Sequence, residues 1–590
     1  MKRTARAHAS SVFSWRPLFI LFSLWCFTQC RPSDDLPSGD LDNGGLFLPG
    51  NFEALVVADS TGRARHIAVN AGGDIYVKLR SSDPVVGGIT ALRDTTGDGK
   101  ADVMKRFGAV DAKRTPYGTA MTLHKGYLYF SSALALYRYK LTPGKLIPEG
   151  APEVVLQDDH EHGIHWHITK PVAFDNEGYM YVPFGAPSNA CQDLSATPNG
   201  APGGAGLDPC PELEKHGGIW RFDAGKTGLT QQDGYRVATG IRSVVGMDWN
   251  PVDEHLYVMM HGRDNLHSLF SDRFTPWQSA LLPSEELLRI TDGADFGWPY
   301  CYYDQMQKKK VLAPEYGGDG KIIGRCEGMD LPVMGFPGHW APNDLLFYRG
   351  DQFPERYKNG AFIAFHGSTN RAPYPQAGYF VCFAPFEKGA PTGAWEVFAD
   401  GFAGVSPIVN TRDAEYRPVG LAEGPDGSLY ITESNQGKIW RVMYKGDPKQ
   451  FGESQLAQME QRKSAAHIRT PHEIEDDLQK DLAQSLKLYN TYCGTCHQQD
   501  GRGAPGRFPP LTATDWVSGD KERLIKIVLN GMQGEVEVEG TTYNSIMPSH
   551  QYLSDEEIAT ILTYIRQNFG NEAGEVSAEE VKMVRNSLSE

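Results

Sequence analysis

Two cysteines and a histidine near the C-terminus have the spacing of a covalent cofactor attachment site. The chain reads LYNTYCGTCHQQDGRGAPGRFPPL there, so that Cys493, Cys496 and His497 form Cys-x-x-Cys-His. In this motif the two cysteines carry a c-type haem and the histidine ligates its iron. The pattern therefore predicts a haem c site and the passage of electrons through this part of the chain.

The segments around this motif resemble the first and last helices of a small class I cytochrome c. They read DLAQSLKLYNTYCGTCH and SDEEIATILTYIRQNF, and the second opens with a capping box formed by Ser554 and Glu557. YNSIMPSH supplies Met547 as the expected distal iron ligand, at the position where this family keeps its methionine. A thioether raises the haem potential relative to a second imidazole. Met532 and His550 remain alternatives.

Four histidines lie close together in DDHEHGIHWHITKPVAF, just before a strand pattern: His160, His162, His165 and His167. Imidazoles at this spacing could share a zinc or copper ion. The same cluster could instead supply one catalytic base with polar neighbours. Histidines of a solvent-exposed loop are the third interpretation.

Two arginines stand beside predicted strands, Arg242 in ATGIRSVVGMDW and Arg371 in FIAFHGSTNR. A guanidinium that points into a buried channel requires an anionic partner. That partner is either a carboxylated ligand, which the two arginines could bind bidentately, or a distant Asp or Glu side chain in a salt bridge.

The segment RDTTGDGKADVMKRF resembles a calcium-binding loop. Asp94, Asp98 and Asp102 occupy loop positions one, five and nine, whereas Lys105 stands where the bidentate Glu would be. A structural Ca²⁺ is the expectation, and a solvated turn between two hairpins is the alternative.

The scaffold for these residues is a repeated strand pattern over residues 46–447. An apolar run, a turn with Gly, Asp or Asn and an apolar-aromatic run recur six times. The instances are HIAVNAGGDIYVKL, TAMTLHKGYLYFSS, PVAFDNEGYMYVPFG, VGMDWNPVDEHLYVMMHG, DLLFYRGDQF…NGAFIAFHG and VGLAEGPDGSLYITES. Such repetition predicts an all-β six-bladed propeller, followed by a small all-α cytochrome c domain. An elongated array of β-sandwiches is the alternative.

Several segments in this order resemble the pyrroloquinoline quinone (PQQ) dependent sugar dehydrogenases, and most closely the sorbosone and pyranose dehydrogenase-like group. They are HWHITKPVAFDNEGYMYVPFG, TGIRSVVGMDWNP, SEELLRITDGADFGWPYCY, GHWAPNDLLFYRG, HGSTNR and YRPVGLAEGPDGSLYITE. The resemblance spans about residues 50 to 445 and implies a six-bladed propeller, in agreement with the repeat pattern.

The resemblance also implies roles for individual residues. His167 falls where the family keeps its catalytic base, and Arg242 matches the arginine that contacts the quinone. Arg349 and Arg371, expected on one side of the wheel, are implied to bind PQQ carboxylates. The segment 261–266, HGRDNL, lies near the family's calcium-binding loop.

Three positions depart from the glucose dehydrogenase branch of the family. Ser243 and Val245 replace its Asn and Gln, and Ala186 replaces the polar residue after the VPFG strand. The sugar and cofactor contacts of that branch therefore do not transfer as a whole.

The combined expectation is a quinohaemoprotein dehydrogenase with PQQ, Ca²⁺ and haem c. It would oxidise a small carbohydrate, polyol or aldehyde and pass electrons through the haem to a downstream acceptor, such as a cytochrome or a respiratory chain component. The alternative is a propeller that binds a glycan or a partner, with an electron-relay cytochrome and no PQQ chemistry.

Composition and termini bound the rest. A formal charge of −16 over 590 residues excludes a nucleic-acid partner, because nothing would attract phosphates. Residues 1–30 are expected to be an export signal, which predicts a periplasmic or membrane-anchored location on the non-cytoplasmic side. Cys30 resembles a lipoprotein cleavage site, and both a lipid anchor there and plain cleavage remain open.

The expected organisation is a tether over 31–45, the propeller over 46–447, a linker over 448–475, the cytochrome over 476–571 and a polar tail over 572–590. An exported chain permits disulfides. We expect the pairs Cys191–Cys210 and Cys301–Cys326, which flank loops, and a buried free thiol at Cys382 within the apolar run GYFVCFAPF.

Overall fold

The computed structural model describes residues 36–80, 88–108, 119–158, 167, 169–192, 200–372, 374–469 and 471–588. The expected signal over 1–30, with Cys30, and the histidines His160, His162 and His165 lie outside the described residues. Within the described residues, six four-stranded antiparallel sheets follow one another around a central channel, and a helical domain follows them. The predicted six-bladed propeller and its small helical partner are confirmed.

Each blade is built from four strands that are adjacent in space in the order of the chain, with one exception in the last blade. The strands are, for blade 1, Ala64–Val69, Ile75–Leu79, Ile89–Arg93 and Val103–Phe107; for blade 2, Met121–His124, Tyr127–Ser131, Ala135–Lys140 and Glu153–Gln157; for blade 3, Ala173–Phe174, Tyr179–Phe184, Gly218–Asp223 and Tyr235–Thr239; for blade 4, Val244–Asn250, His255–Met260, Glu285–Ile290 and Met334–Phe336; for blade 5, Pro342–Phe347, Ala361–Phe365, Phe380–Ala384 and Glu396–Ala399; and for blade 6, Pro418–Glu423, Leu429–Glu433, Ile439–Tyr444 and Phe52–Ala58.

The short strands Leu229–Thr230 and Ala294–Asp295 extend blades 2 and 3 in parallel. Two further hairpins lie between blades or at their edges: Cys301–Asp304 with Lys309–Leu312, and Phe386–Glu387 with Ala390–Pro391. Short helices at Leu266–Leu269 and Pro276–Leu281 interrupt blade 4.

The repeated pattern of the sequence corresponds to the innermost hairpin of each blade. In blade 3 the turn is fixed by Asp175, whose Oδ1 accepts hydrogen bonds from the backbone N–H groups of Glu177, Gly178 and Tyr179. An aspartate that caps its own turn in this way is a local signal that the sequence carries. The first strands of adjacent blades contact one another, so these hairpins line the channel.

Two carboxylates, the partly exposed Asp248 and the buried Asp344, connect the inner strands of neighbouring blades. Asp248 Oδ2 in blade 4 accepts a hydrogen bond of 2.8 Å from the N–H of Phe347 in blade 5. Asp344 Oδ2 in blade 5 accepts one of 2.8 Å from the N–H of Leu421 in blade 6. Burial raises the pKa of the Asp344 carboxyl well above its ordinary value.

The ring is closed by the N-terminal strand Phe52–Ala58, which pairs antiparallel with Ile439–Tyr444 at the other end of the propeller sequence. Phe52 is 4% exposed and meets the rings of several aromatic residues. These are Phe353, Tyr357, Phe398, Tyr444 and Phe451, at centroid distances of 4.9 to 6.0 Å. One side chain thus joins the first strand to blades 5 and 6.

Both predicted disulfides are present, Cys191–Cys210 and Cys301–Cys326, and Cys382 is a buried free thiol. The loops that they cross-link pack together, since Trp298 and Tyr300 lie in one apolar cluster with all four half-cystines.

The helical domain contains helices at Pro471–Tyr492, Gly494–His497, Asp515–Ser518, Lys521–Asn530, Asp555–Gln567 and Ala578–Ser587 and a hairpin of Val536–Val538 with Thr541–Tyr543. Its core joins Tyr489 of the first of these helices to Ile558 and Leu562 of Asp555–Gln567. The predicted capping box at Ser554 and Glu557 is formed.

The segment predicted as a linker, 448–475, is largely packed against the propeller. A helix spans Glu453–Arg462, and Leu456, Met459 and Ile468 are no more than 2% exposed. The polar composition that suggested a linker belongs to the outward face of this helix. In the described part of the chain, no helix combines the length and the apolar character needed to cross a membrane.

We expect Phe52→Ala to destabilise the propeller by about 3–5 kcal/mol, because it leaves a cavity at the closure of the ring. The measurement is urea unfolding followed by tryptophan fluorescence. Val252→Ala serves as the control, since Val252 is 50% exposed and its truncation should change the free energy of unfolding by less than about 0.5 kcal/mol. Equal unfolding midpoints for the two variants would contradict this account of closure.

Candidate active site and haem site

The inner strands begin at one end of the channel and end at the other. We call these ends the N-terminal face and the C-terminal face. Residues placed just before an inner strand, or just after the second strand of a blade, meet at the N-terminal face. His167, Arg242, His339, Arg417 and the segment 366–371 all occupy such positions.

His167 is fixed at this face through its ring. Its Nδ1 lies 2.6 Å from the carbonyl oxygen of Ala186 and donates to it, which leaves Nε2 with its lone pair. Gly185 lets the backbone of His167 come close, because a Cβ at position 185 would lie 2.2 Å from the His167 carbonyl oxygen. Burial, and then the Arg242 guanidinium, lower the pKa of His167 well below its ordinary value. The imidazole is therefore neutral at neutral pH.

Arg242 and Asp264 form an ion pair beside His167. Arg242 is 4% exposed, and its Nη2 donates to Asp264 Oδ2 at 2.8 Å and to Asn189 Oδ1 at 2.9 Å. Despite burial, the Arg242 charge and the contact with His339 hold the pKa of Asp264 far below its ordinary value. Of the two partners left open for Arg242, a distant carboxylate is the one that the structure provides.

Asp264 also binds the segment that carries Arg371. Its Oδ1 accepts a hydrogen bond of 2.5 Å from Asn370 Nδ2, and His339 Nδ1 lies 3.6 Å away. Arg371 directly follows Asn370, so Arg242 and Arg371 are brought to one site. That the two arginines together bind a carboxylated ligand stays a prediction.

Arg371 is buried, and it has no anionic partner among the described residues. It is 1% exposed, and its Nε and Nη1 donate to no other atom of the described residues. Burial lowers its pKa to about 10, and no described carboxylate opposes that shift. A buried guanidinium with unsatisfied donors is costly unless an anion completes it.

Arg417 adds a second guanidinium close to Arg371. Its Nη2 donates to His366 Nδ1 at 2.9 Å, and its Nε donates to the His366 carbonyl at 3.1 Å. Burial, and then the charges of Arg417 and Arg65, lower the pKa of His366 well below its ordinary value. Tyr379, whose hydroxyl has no partner among the described residues, lies between Arg417 and Arg371.

Arg349 is not part of this site, and its expected placement beside Arg371 is wrong. Its Nη2 donates to Asp248 Oδ1 at 2.8 Å and to the carbonyl oxygen of Trp249 at 2.6 Å. Asp248 lies six residues beyond Arg242 on the inner strand of blade 4, or about 20 Å along an extended chain. Arg349 therefore lines the channel toward the C-terminal face, in a cavity of about 490 Å³ that also contains Glu423.

The expected calcium loop has no converging ligands. Asp94 accepts hydrogen bonds from the backbone N–H groups of Thr96, Gly97 and Gly99, while Asp98 accepts from Lys100 and Asp102 from Thr95. Among the described residues, no three His, Cys, Asp or Glu side chains are grouped so as to hold a metal ion. The segment has the structure of a solvated turn, which was the alternative to a calcium loop. Of the four histidines that could share a metal ion, only His167 lies within the described residues.

Sequence reasoning missed Asp264, His339, Asn189, Arg65 and Arg417. For Asp264, His339 and Arg417, the position of the residue relative to the strands of its blade was a signal that the sequence carried. HGRD follows the second strand of blade 4, GHW precedes the inner strand of blade 5 and YRP precedes that of blade 6. The same rule applied to Arg349, at the end of an inner strand, would have placed it at the opposite face.

The helical domain contains a mostly apolar cavity lined by Cys493, Cys496 and His497. His497 Nδ1 donates to the Pro509 carbonyl at 2.9 Å, so that Nε2 is available to an iron ion. Burial lowers the pKa of His497, which favours the neutral, ligating form. Two thiols, a free imidazole nitrogen and apolar walls fit a covalent haem.

All three candidates for the distal ligand line this cavity. Met547 is tied to Met532 by reciprocal backbone hydrogen bonds of 2.9 and 3.0 Å. His550 is 6% exposed, and its backbone N–H donates to the Val528 carbonyl at 2.9 Å. The assignment of Met547 stays a prediction.

Comparison with protein families gives two matches. A family model described as TrAA12-like matches residues 47–445, and a cytochrome c model matches residues 483–569. Cytochrome c-552 of Thermus thermophilus is 42% identical over 113 residues, which are 18% of this chain and 85% of that protein. The fructose dehydrogenase cytochrome subunit of Gluconobacter japonicus is 37% identical over 108 residues, 17% of this chain and 21% of that subunit.

An uncharacterised protein of Borreliella burgdorferi is 30% identical over 210 residues, 35% of this chain and about half (48%) of that relative. Two solved structures share the propeller fold. The PQQ domain of pyranose dehydrogenase from Coprinopsis cinerea has a TM-score of 0.52 and 18% identity, covering 68% of this chain and 97% of that one. The family AA12 enzyme of Trichoderma reesei, in a calcium structure, has a TM-score of 0.54 and 17% identity with the same coverage.

Without an added anion, Arg371→Met should raise the free energy of unfolding by about 1–3 kcal/mol, because it removes unsatisfied buried donors. Arg242→Met should lower it by about 3–5 kcal/mol, because Asp264 then loses its buried partner. Urea unfolding of both variants checks this opposite pair of signs. A loss of stability in Arg371→Met would show that this guanidinium already has a partner.

Met547→His should keep the haem covalently bound and lower its reduction potential, because an imidazole replaces a thioether. The measurement is a redox titration of the haem absorbance. Met532→His is the control and should leave the potential near that of the parent. A shift confined to the control would assign the distal position to Met532.

Proposed function

Because this chain belongs to the TrAA12-like family and carries a cytochrome c domain, we propose that it is a PQQ-dependent dehydrogenase of small sugars or related polyols and aldehydes. Electrons released at the N-terminal face pass to the haem bound by Cys493 and Cys496, and then to an external acceptor. The pyranose dehydrogenase and the dehydrogenase cytochrome subunit among its relatives support this combination.

Arg371 is the observation that carries the proposal. Its side chain is 1% exposed, and two of its donors have no partner in the described part of the chain, which supports an anionic ligand at this position. PQQ has three carboxylates and, when bound, supplies an o-quinone that accepts two electrons. Arg371, Arg417 and Arg65 would hold those carboxylates, since all three guanidiniums lie around His366 and Tyr379.

His167 is the proposed general base. Its Nδ1–H is committed to the Ala186 carbonyl, so Nε2 is the atom that accepts the proton of the substrate hydroxyl. The nearby Arg242 charge opposes protonation of His167 in the resting site. As a result, the base is ready to accept a proton over the whole neutral range.

Arg242 and Asp264 organise the surroundings of this base. Their ion pair keeps both groups charged in a buried site, and Asp264 orients Asn370 next to Arg371. The pair therefore fixes the position of the base relative to the anion-binding arginines. Transfer of a hydride requires the base and the bound quinone to be close together.

The haem domain serves as the exit for electrons. His497 is oriented by the Pro509 carbonyl, and the mostly apolar cavity around it would hold the haem. We place the protein outside the cytoplasm, on the support of two disulfides and a covalent haem. Ca²⁺ is proposed as an accessory ion on the analogy of the Trichoderma reesei structure.

The test is reconstitution of the haem-loaded protein with PQQ, with and without Ca²⁺, followed by haem reduction across a panel of sugars, polyols and aldehydes. We expect PQQ to bind in one equivalent and the haem band to reduce only with PQQ and a substrate present. Binding of a glycan without any haem reduction would favour the binding-protein alternative and overturn the dehydrogenase proposal.

His167→Gln should slow substrate oxidation by about 10²–10⁴-fold, because the proton acceptor is lost while the hydrogen bond to Ala186 can be kept by the amide. The readout is reduction of a small soluble dye at saturating substrate, with PQQ affinity measured in parallel. His261→Gln is the matched control at the same face. A rate for His167→Gln within about threefold of the parent would remove His167 from the role of base.

A further inference from the structure

The packed segment between the two domains, residues 451–469, is anchored along its whole length. We call it the strap. At its start Phe451 packs on Tyr357 and Tyr444, at centroid distances of 5.5 and 5.9 Å. The carbonyl oxygen of Gln455 accepts a hydrogen bond of 2.7 Å from the N–H of Gly50. Met459 of its helix and Ile468 beyond the helix pack against apolar side chains of blade 5.

A single carboxylate clamps the end of the strap. Asp400, at the end of the outer strand of blade 5, has a side chain that is 0% exposed. Its Oδ2 accepts from Arg462 Nε at 2.5 Å, and its Oδ1 lies 2.8 Å from His467 Nε2. Two groups of the strap therefore share one buried anion, which fixes the strap by charge as well as by packing.

The clamp lies next to the loop that enters the N-terminal face. The His467 carbonyl accepts a hydrogen bond of 2.9 Å from the N–H of Gly378. Gly378 has a φ of +97°, and a Cβ there would lie 2.8 Å from the Trp340 carbonyl oxygen. The next residue is Tyr379, the neighbour of Arg371 and Arg417. The strap thus ends beside the candidate active site.

The helix that leads to the haem starts at once after the strap. It spans Pro471–Tyr492, and Cys493 directly follows it. Its last turns belong to the cytochrome core, where Tyr489 is 0% exposed. Burial, and then the charges of Glu580 and Asp413, raise the pKa of Glu575 in the cytochrome domain, so Asp413 of the propeller lies within electrostatic range of that domain. Asp413 also acts on Tyr379, so the cytochrome domain lies near this face.

We propose that the strap holds the cytochrome domain at the N-terminal face, and that Asp400 is a positioning residue for electron transfer from the channel to the haem. The inference rests on the proposed function. Neither Asp400 nor the strap touches the reacting groups. They act through the start of the helix Pro471–Tyr492 and the loop that carries Tyr379.

The length of this helix makes the clamp sensitive. A helix of 22 residues is about 33 Å long, so a tilt of about 10° at its start displaces its end by roughly 6 Å. Loss of the clamp therefore spreads the haem over several positions. If the docked position falls to about one tenth of the population, haem reduction slows about tenfold.

The experiment compares Asp400→Asn and Arg462→Gln with the parent, all as full-length protein loaded with haem and PQQ. Two rates are measured: haem reduction by substrate, and direct reduction of a small soluble dye by substrate. We expect haem reduction to slow about tenfold in both variants. The rate of dye reduction should stay within about twofold of the parent, and the haem potential should be unchanged. Lys463→Gln is the control, because Lys463 pairs with Glu460 inside the strap.

Haem reduction at the parental rate in Arg462→Gln would overturn the proposal, and this variant decides the matter if Asp400→Asn does not fold. A second readout needs no turnover: the distance from the oxidised haem iron to a spin label on Val252→Cys, measured by pulsed dipolar spectroscopy. The distance distribution should be narrow in the parent and in Lys463→Gln but broad in Arg462→Gln. An equally narrow distance distribution in Arg462→Gln would overturn the proposal, whether or not any substrate reduces the dye. Failure of every substrate to reduce the dye would contradict only the proposed function.

Discussion

Closure of the ring is the constraint on which the other features depend. Six blades surround a channel only if the last blade meets the first, and here the strand Phe52–Ala58 completes the sheet that ends at Tyr444. The carboxylates of Asp248 and Asp344 then connect the inner strands across blade boundaries. The N-terminal face exists because this ring holds residues from four different blades at one end of the channel. Repeat architectures gain such a site only when the repeats are held in a fixed order.

The fold was predictable because its signals are local. Each inner hairpin carries an apolar alternation and a turn residue such as Asp175, and each can be recognised without knowledge of the others. The haem motif is local for the same reason. The two disulfides agreed with the prediction because the cysteines of each pair flank one loop, 19 and 25 residues apart in sequence.

The site was less predictable because its contacts are distant in sequence. The Arg242–Asp264 pair joins residues 22 apart, and the Asn370–Asp264 contact spans 106 positions. Arg349 shows the limit most clearly. Its residue type suits an anion, but its place at the end of an inner strand assigns it to the opposite face. The packing of the segment 448–475 on the propeller was not predictable, because a helix with one buried face has a polar composition overall.

The buried guanidinium of Arg371, for which the described residues supply no anion, has a consequence for the amount of folded protein in a cell. A ligand that binds only the folded state stabilises it in proportion to the logarithm of its concentration. An anion that completes Arg371 would therefore shift the balance between folded chains and chains open to proteolysis. Where that anion is scarce, the propeller would be shorter-lived. Supply of the anion would then set the abundance of the protein.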